Sequence, residues 1–178
     1  KFKKNLNKTK KEFKTLISDF NGLKIPLFQS YMHTNNFNFN NLTVKKFKKY
    51  KNIIIIGMGG SILGTKSIYS FFKNKIKKEL FFFDNLDENL HIKLNNIKNY
   101  KNSCIVVVSK SGNTLETIAN LNLISEKFLL KNKLVFITEY KDSFLNNFAN
   151  KLNAEVIEHK DYIAGRYSVL SEVGMLPA

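Results

Sequence analysis

Apolar residues fall into two regimes along this chain: scattered among lysines and asparagines up to residue 50, then gathered into short continuous runs. In the first regime Phe2, Leu6, Phe13, Leu16, Ile17 and Phe20 recur at a loose helical period, predicting a helix over residues 1–20 that Asn21-Gly22 stops. Residues 26–41, rich in asparagine and without period, are expected to form a connecting loop, and residues 44–50 a short helix entering the core. In the second regime, apolar runs predict strands over residues 53–56, 80–83, 104–108, 134–137 and, more briefly, 155–157. Helical stretches follow the first four, over residues 62–72, 87–97, 114–130 and 143–151.

Runs that are continuously apolar, such as Ile53-Ile54-Ile55-Ile56, fit strands covered on both faces, as in parallel sheets. Strand and helix alternating at this spacing predict an α/β fold, an open three-layer α/β/α sandwich with a mainly parallel sheet of about five strands. Residues 1–50 then form an N-terminal helical segment and loop, and residues 51–178 the ligand-binding domain. No internal repeat or interdomain linker is evident. In such sheets ligands bind beyond the carboxyl ends of the strands.

Two unusual loops stand at those ends. The first, Gly57-Met58-Gly59-Gly60-Ser61-Ile62-Leu63-Gly64, follows a strand and opens a helix, so glycine backbone and free N–H groups can approach an anion closely. It is not a dinucleotide fingerprint, which needs glycine where Ile62 stands, nor a Walker-type loop, which needs lysine where Thr65 stands. Asp84, ending the second strand, keeps a ribose-binding reading open beside that of a solvated carboxylate. The second loop, Ser109-Lys110-Ser111-Gly112-Asn113-Thr114-Leu115-Glu116-Thr117, packs four hydroxyls around a glycine. Hydroxyls and backbone N–H groups together can surround a phosphate monoester without a metal; the plainer reading is a Ser/Thr helix cap.

The positive residues number 29 against 14 acidic, a formal charge of +15, which raises the question of nucleic acid or membrane partners. They are spread through every segment and are lysine throughout, apart from Arg166. Nucleic-acid readers favour the planar guanidinium, so the charge reads as a solvated lysine surface, with neither nucleic acid nor membrane as partner. The same bias singles out Arg166, in Ala164-Gly165-Arg166-Tyr167-Ser168-Val169-Leu170-Ser171, as a position that needs planar geometry; the alternative is a surface ion pair. A single cysteine excludes a disulfide scaffold, and Cys104 on the third strand is expected to be a buried small apolar residue. Phe81-Phe82-Phe83 and the other aromatics are expected in the core. No apolar run nears the ~18–20 residues of a membrane span, so a cytoplasmic setting is expected. Position 1 is not Met and the last residues are still apolar, which leads us to expect a piece of a longer protein.

Together the three segments resemble the glucose-6-phosphate isomerase family of the sugar isomerase (SIS-domain) superfamily. The first loop is similar to its glycine loop, the second to its phosphate loop in the bacterial form with Ser-Gly, and Gly165-Arg166-Tyr167-Ser168-Val169-Leu170-Ser171-Glu172-Val173-Gly174 to its arginine signature. The resemblance implies interconversion of glucose 6-phosphate and fructose 6-phosphate through an enediolate, without metal or organic cofactor, by a homodimer. It implies that Ser109, Ser111, Thr114 and the backbone of Lys110 hold the phosphate of the hexose 6-phosphate, that Thr117 closes that pocket, and that Gly60 and Ser61 face the sugar. Arg166 would stabilise the enediolate. Alanine at 164, where the family often has glycine, departs from the pattern. The family's base Glu, ring-opening His and late Lys are expected beyond residue 178. Glu116 and Glu172 are not that base, and His33, His91 and His159 are expected to be surface or loop histidines. The alternative is a regulatory sugar-phosphate-binding domain without chemistry.

Overall fold

Strand β1 (Asn52–Gly57) lies between β2 (Glu79–Phe83) and β3 (Ser103–Val108), and β4 (Lys133–Thr138) and β5 (Glu155–Glu158) extend the sheet to the order β2-β1-β3-β4-β5. Every neighbouring pair is parallel, in a computed structural model that describes residues 1–22, 25–32, 37–98, 102–129 and 133–178. Two compact units emerge, Lys1–Asn36 and Phe37–Ala178.

The larger unit is the expected three-layer sandwich, with a sheet that is parallel throughout. Ile53 and Ile55 face one side with Cys104, Val106, Val135 and Ile137; Ile54 and Ile56 face the other with Ile105, Val107, Leu134 and Phe136. The first side is covered from α4 (Gly60–Phe72) by Ile62 and from α8 (Glu172–Met175) by Val173. The second is covered by α5 (Leu90–Asn95), α6 (Leu115–Leu129) and α7 (Phe144–Lys151). Both faces being dry is why β1 reads as an unbroken isoleucine run, each buried side chain contributing roughly 1.5–3 kcal/mol. Cys104 is buried as expected, and burial pushes its thiol up to about 12.

The helix expected at 44–50 is α3 (Asn41–Lys48), whose start is set earlier by the Asn40 side chain accepting from Leu42 N–H (2.9 Å) and Thr43 N–H (3.1 Å). Its end is closed by the Lys78 ammonium, which donates to the carbonyls of Phe47, Lys48 and Tyr50. The helix expected over 87–97 is shorter, because Asp87 turns the chain first by accepting from Asn89 N–H.

In the smaller unit α1 (Phe2–Asn21) matches the sequence, but part of the expected loop at 26–41 is helical, α2 (Pro26–Met32). Proline suits a first helical position, and the Phe28 ring meets Phe20 of α1 edge-on at 5.0 Å, a tertiary contact that no local period announces. Residues 33–36, including His33, lie outside the described residues. The expectation that the aromatics are core holds for Phe83 and Phe136 only in part of the set: Phe2, Phe13 and Phe71 are exposed, and Phe81 and Phe82 are half-buried. Strand β2 is the sheet's edge, and no residue of α1 is buried.

Candidate functional site

The strand order changes direction between β1 and β3, the place where an open α/β sheet leaves a crevice. Gly57 pairs with Val108 in register, so the first and second loops leave the sheet side by side.

At the first loop, Gly59 has φ +55° and ψ −123°, a backbone state that a side chain disfavours. It lets the chain reverse directly into α4, whose first turn forms with Ile62 N–H and Leu63 N–H both on the Gly59 carbonyl. Ser61 is buried behind it.

At the second loop three hydroxyls converge. Ser109 Oγ lies 2.8 Å and Ser111 Oγ 3.5 Å from Thr114 Oγ1. Ser109 is buried, Thr114 half-buried and Ser111 exposed, so the cluster opens outward. Gly112, at φ +71°, makes the turn; its carbonyl accepts from Leu145 N–H (3.1 Å), while Asn113 Oδ1 accepts from Phe144 N–H (2.8 Å). These two bonds fix the loop to the start of α7. Among the described residues no hydrogen bond engages the backbone N–H of Lys110, Ser111 or Thr114. Free N–H groups beside clustered hydroxyls at a helix start make a neutral donor cradle for an anion.

The arginine segment closes on the first loop. Gly165–Leu170 forms a 310 turn, and a Cβ added at Gly60 would overlap the Gly165 carbonyl and come within 2.7 Å of Arg166 N. Ser168 Oγ donates to the carbonyls of Gly60 (3.1 Å) and Gly165 (2.6 Å), a buried pin that sequence reasoning passed over although it lies inside the Arg-Tyr-Ser motif. The Arg166 side chain is exposed and makes no ion pair among the described residues.

Other candidates fall elsewhere. Thr117 is buried, and its hydroxyl has no hydrogen-bond partner among the described residues. Lys110 contributes only its main chain to the cradle: its ammonium donates to the Asp161 carbonyl and lies 3.5 Å from Glu139 Oε1. Burial alone would push the Glu139 carboxyl up; its hydrogen bond to Lys141 and the Lys110 charge outweigh that and hold it below the ordinary carboxylate range. Asp84 pairs with Lys66 at 2.6 Å. Glu172 is buried and accepts from Asn38 N–H (3.0 Å).

His159 lies in a loop as expected but is buried rather than at the surface. It is 1% exposed after β5, with Nδ1 3.1 Å from the Lys160 carbonyl and Nε2 without a hydrogen-bond partner among the described residues, and burial lowers its pKa. Among the described residues no group of His, Cys, Asp and Glu is arranged to hold a metal ion, and no helix is long and apolar enough to cross a membrane.

Relatives bear on this geometry. The chain is 37% identical over 137 residues to the glucose-6-phosphate isomerase of Methanocaldococcus jannaschii, covering 75% of this chain and 33% of that one. It thus spans about a third of the length of the curated relatives it matches. The crystal structure of a glucose-6-phosphate isomerase from Chlamydia trachomatis superposes with TM-score 0.63 at 31% identity, over 76% of this chain and 27% of that one. The sugar isomerase domain of an RpiR transcription factor from Sphaerobacter thermophilus shares the fold, with TM-score 0.52 at 17% identity, over 78% of this chain and 73% of that one. Residues 31–178 match the phosphoglucose isomerase family, and the chain belongs to that family.

Proposed function

We propose that this chain supplies the phosphate grip and the charge-stabilising cation of an isomerase that interconverts glucose 6-phosphate and fructose 6-phosphate. The observation that carries the reading is the meeting of Gly60 with Gly165 and Arg166 beside the hydroxyl cradle of Ser109, Ser111 and Thr114. The cradle takes the phosphate through those hydroxyls and the N–H groups of Lys110, Ser111 and Thr114. Hydrogen bonds to a charged partner contribute about 1.5–3 kcal/mol each, enough for three or four to fix the hexose in place. Gly60 and Ser61 border the sugar, and Thr117 backs the phosphate pocket.

In the forward direction a base takes the proton from C2 of the open-chain aldose, and the electron pair moves onto the C1 carbonyl oxygen as the enediolate forms. The proton then returns to C1 while the O2 proton passes to O1, leaving the ketose with its carbonyl at C2; no oxidant or reductant enters. Arg166, the sole guanidinium of the chain and without an ion pair among the described residues, stabilises the oxyanion during this passage. The proton-transferring groups are assigned to residues beyond 178, the full-length polypeptide working as a cytoplasmic homodimer in glycolysis and gluconeogenesis. A regulatory module that only senses sugar phosphates would use the same cradle and would have no need of Arg166.

A coupled assay of the full-length polypeptide with glucose 6-phosphate tests the reading. Arg166→Lys is expected to lower kcat by about a hundredfold with a smaller change in KM, as loss of an interaction made in the transition state requires. No turnover in the parent polypeptide refutes the isomerase; a raised KM at constant kcat makes Arg166 a binder.

A further inference from the structure

The Lys110 side chain leaves the cradle to which its backbone belongs and crosses to the chain that leads into the arginine segment. Its ammonium donates to the Asp161 carbonyl, five positions before Arg166, and stands 3.5 Å from Glu139 Oε1. Its own carbonyl accepts from Glu139 N–H (3.1 Å) and from Thr138 Oγ1 (3.4 Å), so both ends of the residue are fastened at the end of β4. Both partners in the ion pair are half-buried, with side chains 28% and 15% exposed, so solvent screens the pair in part.

The segment carrying Arg166 is therefore held at two ends by two different loops. On the far side, Ser168 fastens it to Gly60 of the first loop. On the near side, Lys110 of the second loop fastens it at Asp161, with Ile163 buried between the two anchors. We propose that the Lys110 ammonium, held by Glu139, is a positioning residue that ties the placement of Arg166 to the phosphate-binding loop. The inference rests on the isomerase reading and adds to it a specific physical link: the loop that takes the phosphate carries the support of the cation that meets the reacting carbons, about which small displacements cost rate heavily. A lysine here does what a lysine in a phosphate site ordinarily does not, since its charge is directed away from the anion.

The full-length polypeptide with Lys110→Met tests this, because methionine keeps the length of the stem and removes the donor. We expect kcat to fall about tenfold with KM changed by less than about threefold, since the hydroxyls and N–H groups that take the phosphate are untouched. Lys110→Arg, which keeps a cationic donor, is expected to recover most of that kcat. Backbone hydrogen exchange supplies a readout independent of turnover: amides of residues 161–167 are expected to exchange several-fold faster in Lys110→Met, with β1 and β3 unchanged. Unaltered exchange together with kcat and KM within about twofold of the parent overturns the brace. So does a loss confined to KM, which would make the ammonium a phosphate ligand. Failure of the isomerase reading shows separately, as a parent polypeptide without turnover.

Discussion

Val169 fills the space that a side chain at Gly64 would need: a Cβ there would lie 2.7 Å from the valine Cβ. Gly174 closes on the same residue from α8, where a Cβ would overlap the Val169 carbonyl. The 310 turn is thus clamped between α4 and α8 by contacts too short for any side chain. Gly174→Ala is expected to destabilise the fold by about 1–3 kcal/mol in denaturant unfolding, the usual cost of overpacking. Gly165→Ala provides the contrast, since its Cβ would meet nothing within 4 Å and its φ is not positive; its unfolding midpoint should match the parent's.

Ser109 and Ser111 reach the same hydroxyl of Thr114, so the cradle should respond as a unit. Ser111→Ala and Thr114→Val are each expected to weaken binding of fructose 6-phosphate by about tenfold or more, measured by titration calorimetry. The double variant should lose less than the sum, as groups that share a partner do. Strictly additive losses would show that the hydroxyls bind separately.

Cys104 is 1% exposed, and burial pushes its thiol up to about 12. Labelling by a maleimide at pH 8 should be negligible in the folded protein and complete in denaturant. Rapid native labelling would mean that β3 opens locally.

His159 is buried with Lys110, Glu139 and Glu172 around it, and burial lowers its pKa below the ordinary value of 6.5. The unfolded chain therefore binds a proton there before the folded one does, and stability rises with pH in that window. Its contribution is complete above about pH 6.5 and is lost as pH falls toward the lower folded value. Denaturant midpoints measured from pH 8 down to 5.5 should decline in the parent and flatten in His159→Gln. A parallel decline in both would assign the effect to other groups.

The sheet and its loops were legible because burial on two faces forces continuous apolar runs, and the glycines at the strand ends answer to backbone geometry close by. The parallel arrangement follows from those runs, whereas the order β2-β1-β3-β4-β5, and with it the crevice between β1 and β3, comes from the fold alone. What local sequence does not carry is set across the fold. The helix Pro26–Met32 depends on Phe28 meeting Phe20; the burial of His159 depends on what packs over the end of β5; Ser168 is a pin only because Gly60 lies under it. For Lys110 the sequence offered a role only for the backbone, and the bonds to Asp161 and Glu139 show where the side chain goes.

Pairing of β1 with β3, which β2 separates from it along the chain, has a consequence for synthesis on the ribosome. When β1 and β2 have emerged, the isoleucine strand still has one bare edge, and it stays bare until residue 108 has cleared the exit tunnel. The clamp on Val169 comes later still, with Gly174. A nascent chain stalled between these points carries the glycine loop paired to β3 at Gly57 but without the arginine segment that packs on Gly60 and Gly64.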